Sequence, residues 1–114
     1  MSECIFCRIV AGDLPAEVVA RSPSTVAFRD LDPKAPTHVL VVPVEHLDHA
    51  GSIGPEHAGM LAELVTTARS VAEQEGIAGD GYRLVFNVGE DAGNTVAHLH
   101  LHVLGGRQMA WPPG

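Results

Sequence analysis

The run His98–Gly106, "HLHLHVLGG", sets three histidines at every second position with leucines between them. On an extended chain side chains alternate faces. His98, His100 and His102 therefore share one face, and Leu99, Leu101 and Val103 share the other. The apolar side predicts a strand that fills a core. The imidazole side asks for more, because each histidine taken out of water needs its own partner.

The segments before this run extend the pattern. "GEDAGNT" (89–95) is a glycine-rich loop leading into the strand "VAHLHLHVL", and "YRLVFNV" (82–88) reads as another strand. Ala58, Leu61, Leu64, Val65, Ala68 and Val71 or Ala72 keep helical spacing up to Gly76, with Glu63, Arg69 and Glu73 opposite. Ser52 or Gly54 would start that helix, with Pro55 in its first turn. "HVLVVPV" (38–44) is nearly all apolar and β-branched, which predicts a central strand. "DPKAPT" (32–37) is a proline-broken connection, and "AEVVARS" and "TVAFRDL" read as a strand pair around Ser22, Pro23 and Ser24. "CIFCRIVAG" (4–12) is a brief helix or a packed turn. Strands, one long helix, then strands again predict an α+β fold with an antiparallel sheet rather than alternating βαβ units.

Composition narrows the function. The chain has 114 residues, enough for one domain spanning 1–114, and 46% of them are hydrophobic. A formal charge of −7 argues against bulk attraction to nucleic acid, while leaving room for one small phosphorylated ligand in a local pocket. No apolar run is long enough to span a bilayer. "MSECIFC" lacks the basic and apolar regions of a signal peptide, so the expected location is the cytoplasm, where two cysteines are reduced or metal-bound more often than bridged.

Three chemistries suit a same-face histidine row. The histidines can be satisfied polar groups, a reading that fits any one of them better than all three. Two of them can share a zinc, although no carboxylate flanks the row and Asp91 lies across the loop. The third is nucleophilic catalysis: a neutral imidazole attacks phosphorus once a hydrogen bond on one nitrogen aims the lone pair of the other. The neighbouring glycine-rich loop can turn backbone N–H groups and a hydroxyl toward the same phosphate.

"HLHLHVL", the ending "HVLGGRQMAWPPG", "DPKAPTHVLVVP" and "GYRLVFNVGEDAGNTVAH" together resemble the Hint branch of the histidine-triad (HIT) superfamily over nearly the whole chain. The resemblance implies a HIT-like fold: a five-stranded antiparallel sheet, one long helix and a short N-terminal helix, with two protomers forming one ten-stranded sheet. It implies a purine nucleoside phosphoramidase that cleaves AMP- or GMP-linked phosphoramidates and adenylates through a covalent nucleotidyl-histidine, with no catalytic cofactor. The implied nucleophile is His100. His102 would contact the phosphate or leaving group, His98 would orient the site, and His38 would hydrogen-bond within the triad. Thr95, where many relatives carry serine, would bind phosphate or protonate the leaving amine. Asn94 replaces a common glutamine and receives no role. Asn87 and Gly93 match positions near the phosphate, Val96 is a further expected nucleotide contact, and Asp30 matches the acid on the ribose hydroxyls. Ile5, Phe6, Ile9, Phe28, Leu31 and Leu40 match the apolar slot around the purine, with ordinary core as the competing reading. Trp111 matches a tryptophan that reaches toward the partner's active site, or simply packs at the dimer interface.

Cys4 and Cys7 resemble a pair found in many bacterial members. Some of those hold a structural zinc, which here implies Cys4, Cys7, His46 and His98 as ligands. The competing reading is two buried thiols acting as small apolar residues. His49 and His57 read as surface histidines. The expected ligand is a purine nucleotide or an adenylated small molecule, with no nucleic acid and no membrane. Two enzyme alternatives remain at this point, a dinucleoside polyphosphate hydrolase and a metal-dependent hydrolase using His98 and His100. Outside enzymes, the alternative is a non-catalytic nucleotide-binding or protein-interaction module stapled by zinc.

Overall fold

The computed structural model describes residues 3–114. Its central strand is Thr37–Pro43 (β3), buried at every position, as its run of β-branched residues requires. On one side it pairs with Thr25–Arg29 (β2), which pairs in turn with Val18–Arg21 (β1) through the Ser22–Ser24 turn. On the other side it pairs with Leu101–Gly105 (β5), and β5 pairs with Tyr82–Val85 (β4). All pairings are antiparallel, giving the order β1-β2-β3-β5-β4.

Two helices sit on this sheet. Ile5–Ala11 (α1) starts at Cys4, whose Sγ accepts from the Cys7 N–H, and ends at Gly12, where φ of +84° closes the last turn. Ala58–Gln74 (α2) follows a single 3₁₀ turn at Pro55–His57 and stops before Gly76, at φ +74°. Its buried residues are Leu64, Thr67, Ala68, Val71 and Ala72. The helical spacing thus held from Leu64 onward, with two departures. Val65 is exposed, and Thr67 faces inward because its hydroxyl meets the Thr25 hydroxyl at 2.9 Å. Among the described residues, no helix is long and apolar enough to cross a membrane.

Alternation along the strands splits the interior into two layers. Ala27, Val39, Val41, Leu101 and Val103 pack with Leu64, Ala68 and Val71 of α2. Val26, Phe28, Leu40 and Val42 pack on the opposite face with Phe6 of α1. The long helix therefore packs over the middle of one face, and the short helix covers only part of the other. That partly covered face carries the histidines.

The sheet end beside α2 is tight. A Cβ on Gly105 would stand 2.5 Å from Cδ1 and 3.1 Å from Cβ of Ile77, which is buried. Gly105→Ala is expected to cost about 1–3 kcal/mol by overpacking. Urea unfolding of Gly105→Ala with and without Ile77→Ala checks this: the second change should recover part of the loss.

Candidate functional site

The triad begins before its strand does. The extended reading of "VAHLHLHVL" as one strand is corrected, since β5 opens at Leu101 and only His102 lies within it. His98 and His100 occupy an irregular segment whose Leu99 N–H bonds the Leu47 carbonyl at 2.6 Å. The alternation nevertheless continues, with Leu99, Leu101 and Val103 buried in the α2 layer. This irregularity leaves backbone groups near the histidines unused by the ladder, and one of them matters chemically.

His100 Nδ1 lies 2.7 Å from the His98 carbonyl oxygen. A carbonyl only accepts, so Nδ1 carries the proton and Nε2 keeps its lone pair. The His100 ring is also met edge-on by Phe6, at a centroid distance of 5.2 Å, and by His102 at 5.0 Å. Its orientation is therefore set on three sides.

The second chain of contacts starts at a main-chain donor. Lys34 N–H donates to His38 Nδ1 at 3.0 Å, which leaves the His38 proton on Nε2. That proton faces His102 Nδ1 at 2.9 Å, with Asp30 Oδ2 at 3.4 Å. His102 Nδ1 then accepts, and the His102 proton resides on Nε2. The strand register makes the contact: Leu40 opposes His102 and His38 opposes Leu104, so His38 and His102 are diagonal neighbours on one face. His100 thus offers a lone pair, and His102 offers an N–H.

Asp30, His38 and His102 also form a group of potential metal ligands. The Lys34 N–H excludes that use in this conformation. A metal on His38 Nε2 would need the nitrogen that must carry the proton, because the other is already occupied.

A cavity of about 260 Å³ opens beside His100. Ile5, Phe6, Ile9, Phe28, Leu31 and Leu40 all line it, together with Asp30, Thr95 and Val96. Pro15, Ala16 and Arg29 also line it, and nothing in their spacing marked them beforehand. Asn87, Gly93 and Trp111 are outside this lining, and Trp111 is 82% exposed. A larger depression of about 410 Å³ between Gly76 and Gln108 contains no histidine, cysteine or serine.

The cysteines meet two histidines. Cys7 Sγ lies 3.3 Å from His46 Nδ1 and 3.4 Å from His98 Nδ1, Cys4 Sγ lies 3.4 Å from His98 Nδ1, and the two Nδ1 atoms are 3.2 Å apart. His98 Nε2 faces the Pro43 carbonyl at 3.0 Å, and His46 Nε2 faces Asp48 Oδ1 at 3.1 Å. Both outer nitrogens therefore donate, and both inner nitrogens turn lone pairs toward each other. Two lone pairs at 3.2 Å repel unless a cation lies between them. The spacings match the edges of a tetrahedron around zinc, about 3.3 Å for N–N and about 3.5 Å for N–S. The two donated bonds are the outer support that metal-bound imidazoles ordinarily have. The donor set fits a zinc ion. His49 and His57 stay out of it, each accepting a backbone N–H with Nδ1 in the turns before α2.

Burial favours the neutral form of His38, His98 and His102. Desolvation pushes the pKa of His38 and His98 down, and desolvation followed by His100 and His38 pushes His102 down to about 4. The unfolded chain takes up a proton near pH 6.5 that native His102 refuses until about pH 4. The stability from this difference is present in full above pH 6.5. It is lost as pH falls to about 4, a total of roughly 3 kcal/mol. Denaturant unfolding at pH 7 and pH 4.5 should show this slope, and His102→Asn should flatten it.

Comparison with known proteins gives this arrangement relatives. The HIT domain pattern matches residues 11–109. A purine nucleoside phosphoramidase of Escherichia coli is 41% identical over 107 residues, covering 94% of this chain and 90% of its own. An uncharacterized HIT-like protein of Synechococcus elongatus is 44% identical over 115 residues, with full coverage of both. Among solved structures, a HIT family hydrolase from Legionella pneumophila superposes with a TM-score of 0.96 at 46% identity, covering 98% of this chain and 100% of that one.

Proposed function

This chain belongs to the HIT domain family, and from that premise we propose that it is a purine nucleoside phosphoramidase acting through a covalent nucleotidyl-histidine. The observation that carries the reading is the His100 ring, pinned through Nδ1–H to the His98 carbonyl beside an apolar cavity the size of a nucleobase site. His100 Nε2 attacks the α-phosphorus of AMP or GMP joined to an amine. The P–N bond breaks, and the amine leaves with a proton supplied by His102 Nε2–H or by the Thr95 hydroxyl. The nucleotidyl-imidazolium keeps its Nδ1–H on the His98 carbonyl, which stabilises the new positive charge. Water then attacks phosphorus, the P–Nε2 bond breaks, and its proton restores the acid. Adenylates would follow the same route with a carboxylate leaving group.

The base would sit among Ile5, Phe6, Ile9, Phe28, Leu31 and Leu40, with Asp30 on the ribose and Thr95 and Val96 near the phosphate. Cys4, Cys7, His46 and His98 would hold a structural zinc that ties α1 to the sheet. It would act on the reaction only by fixing His98. β4 is an edge strand, and Leu84 on it is 38% exposed, which supports pairing with a second copy into a ten-stranded sheet. A cytoplasmic setting suits thiol ligands.

The test is turnover of an adenosine 5′-phosphoramidate by chelator-treated protein, with acid-quenched samples weighed for an AMP adduct. Turnover with an acid-labile adduct is expected. A folded protein that binds AMP and turns over nothing would instead be a binding module.

A further inference from the structure

We infer that Arg107 is a positioning residue for this reaction, setting the proton arrangement of His38 and His102 through the backbone of Lys34. The inference rests on the proposed phosphoryl chemistry for its kinetic consequence, although its structural half stands apart from turnover.

The chain leaving β5 turns at Gly106, with φ of +92°, and a Cβ there would stand 2.9 Å from Pro36 Cβ. That close approach lays the turn against the segment before β3. Arg107 Nε and one terminal nitrogen then both donate to the Lys34 carbonyl oxygen, at 3.2 and 3.0 Å, while the other terminal nitrogen donates to the Gln108 carbonyl at 3.1 Å. A planar guanidinium making two bonds to one carbonyl fixes the Lys34–Ala35 peptide in direction as well as position, and so restrains the Lys34 Cα whose own N–H, on the preceding peptide, points to His38. The Lys34 ammonium turns outward to the exposed Asp32, on its carbonyl and one carboxylate oxygen. The Lys34 N–H is the donor that occupies His38 Nδ1.

The consequence follows by counting protons. With the Lys34 N–H in place, neutral His38 must carry its proton on Nε2, and His102 must accept on Nδ1 and donate from Nε2. If the Lys34 backbone shifts once its carbonyl is released and its N–H leaves His38, His38 can place its proton on Nδ1, and its Nε2 becomes an acceptor. His102 then turns its own proton inward, to Nδ1, and presents a bare Nε2 lone pair where the substrate needs a donor. Arg107 thus selects which neutral form of His102 exists, and it does so without touching substrate. Arg107 adds a side-chain tie to the Asp30–Pro36 loop, where the Thr37–Gly105 pairing and the Gly106–Pro36 approach already bring it against β5.

The experiment reads both halves. Long-range ¹H–¹⁵N spectra of the nucleotide-free protein report which nitrogen of each histidine is protonated. Wild type should show His38 and His102 as single Nε2–H forms. Arg107→Met should show His38 as a mixture of both forms, with kcat lowered about tenfold, at the lower end for second-layer partners, and KM within about twofold. Arg107→Lys, which keeps one donor to the Lys34 carbonyl, should recover part of the Nε2–H signal and part of kcat. Unchanged histidine forms in a folded Arg107→Met would overturn the inference. Should Arg107→Met fail to fold, Arg107→Lys carries the test, and a kcat loss in it with wild-type histidine forms overturns the inference equally. If wild type shows the single forms yet turns nothing over, the phosphoramidase reading fails and the Arg107 relay stands.

Discussion

Replacing His100 with alanine is expected to lower kcat for an adenosine phosphoramidate by on the order of 10⁴-fold, to the edge of detection, because no other group offers a lone pair to phosphorus in that position. His102 cannot substitute, since its Nδ1 is turned to His38 and its Nε2 carries the proton. AMP affinity should change by no more than a few-fold, because the apolar lining from Phe6 to Leu40 stays in place. Single-turnover kinetics and calorimetric titration with AMP measure the two quantities separately. The adduct should vanish with turnover. His100→Gly supplied with free imidazole should regain P–N cleavage, which a purely structural role for the ring would not allow. A His100→Ala protein with wild-type kcat would move the nucleophile elsewhere.

The second large effect concerns the Cys4, Cys7, His46 and His98 cluster. Purified protein is expected to contain about one zinc per chain by elemental analysis. Stripping it, or making Cys7→Ser, should lower Tm by about 10 °C or more, from the loss of a few kcal/mol in a domain of this size. The mechanism is local. α1 is only 7 residues long, too short to persist alone, and its Phe6 anchors it between Phe28 and the histidine rings. Removing the ion leaves the His46 and His98 lone pairs facing each other at 3.2 Å, so one ring must turn or take a proton. Because α1 supplies Ile5, Phe6 and Ile9 to the cavity, KM should rise more than kcat falls. Metal-free protein with an unchanged Tm would return the cysteines to the reading of two buried thiols.

Much of this was legible in the chain. The β-branched run at 38–44 can satisfy itself only in the middle of a sheet, and β3 is there. The alternation at 98–103 assigned faces correctly even where the backbone stops being a strand, because burial of Leu99 and Leu101 does not require ladder bonds. The exposed Val65 and buried Thr67 were illegible, since hydrophobicity ranks valine inward, and a hydroxyl is welcome in a core only when a partner such as Thr25 waits there.

By itself the sequence determined the α+β order of elements, the helix phase over most of its length, and the histidine row with its neighbouring glycine loop. These follow from side-chain identity and local period, which need no knowledge of distant chain. The tertiary structure alone decided which ring holds a lone pair and which holds a proton. The deciding groups are the carbonyls of His98 and Pro43 and the N–H of Lys34. Every residue carries such groups, so no letter marks them. Only the close approach of three distant segments turns them toward an imidazole and gives each histidine a distinct role.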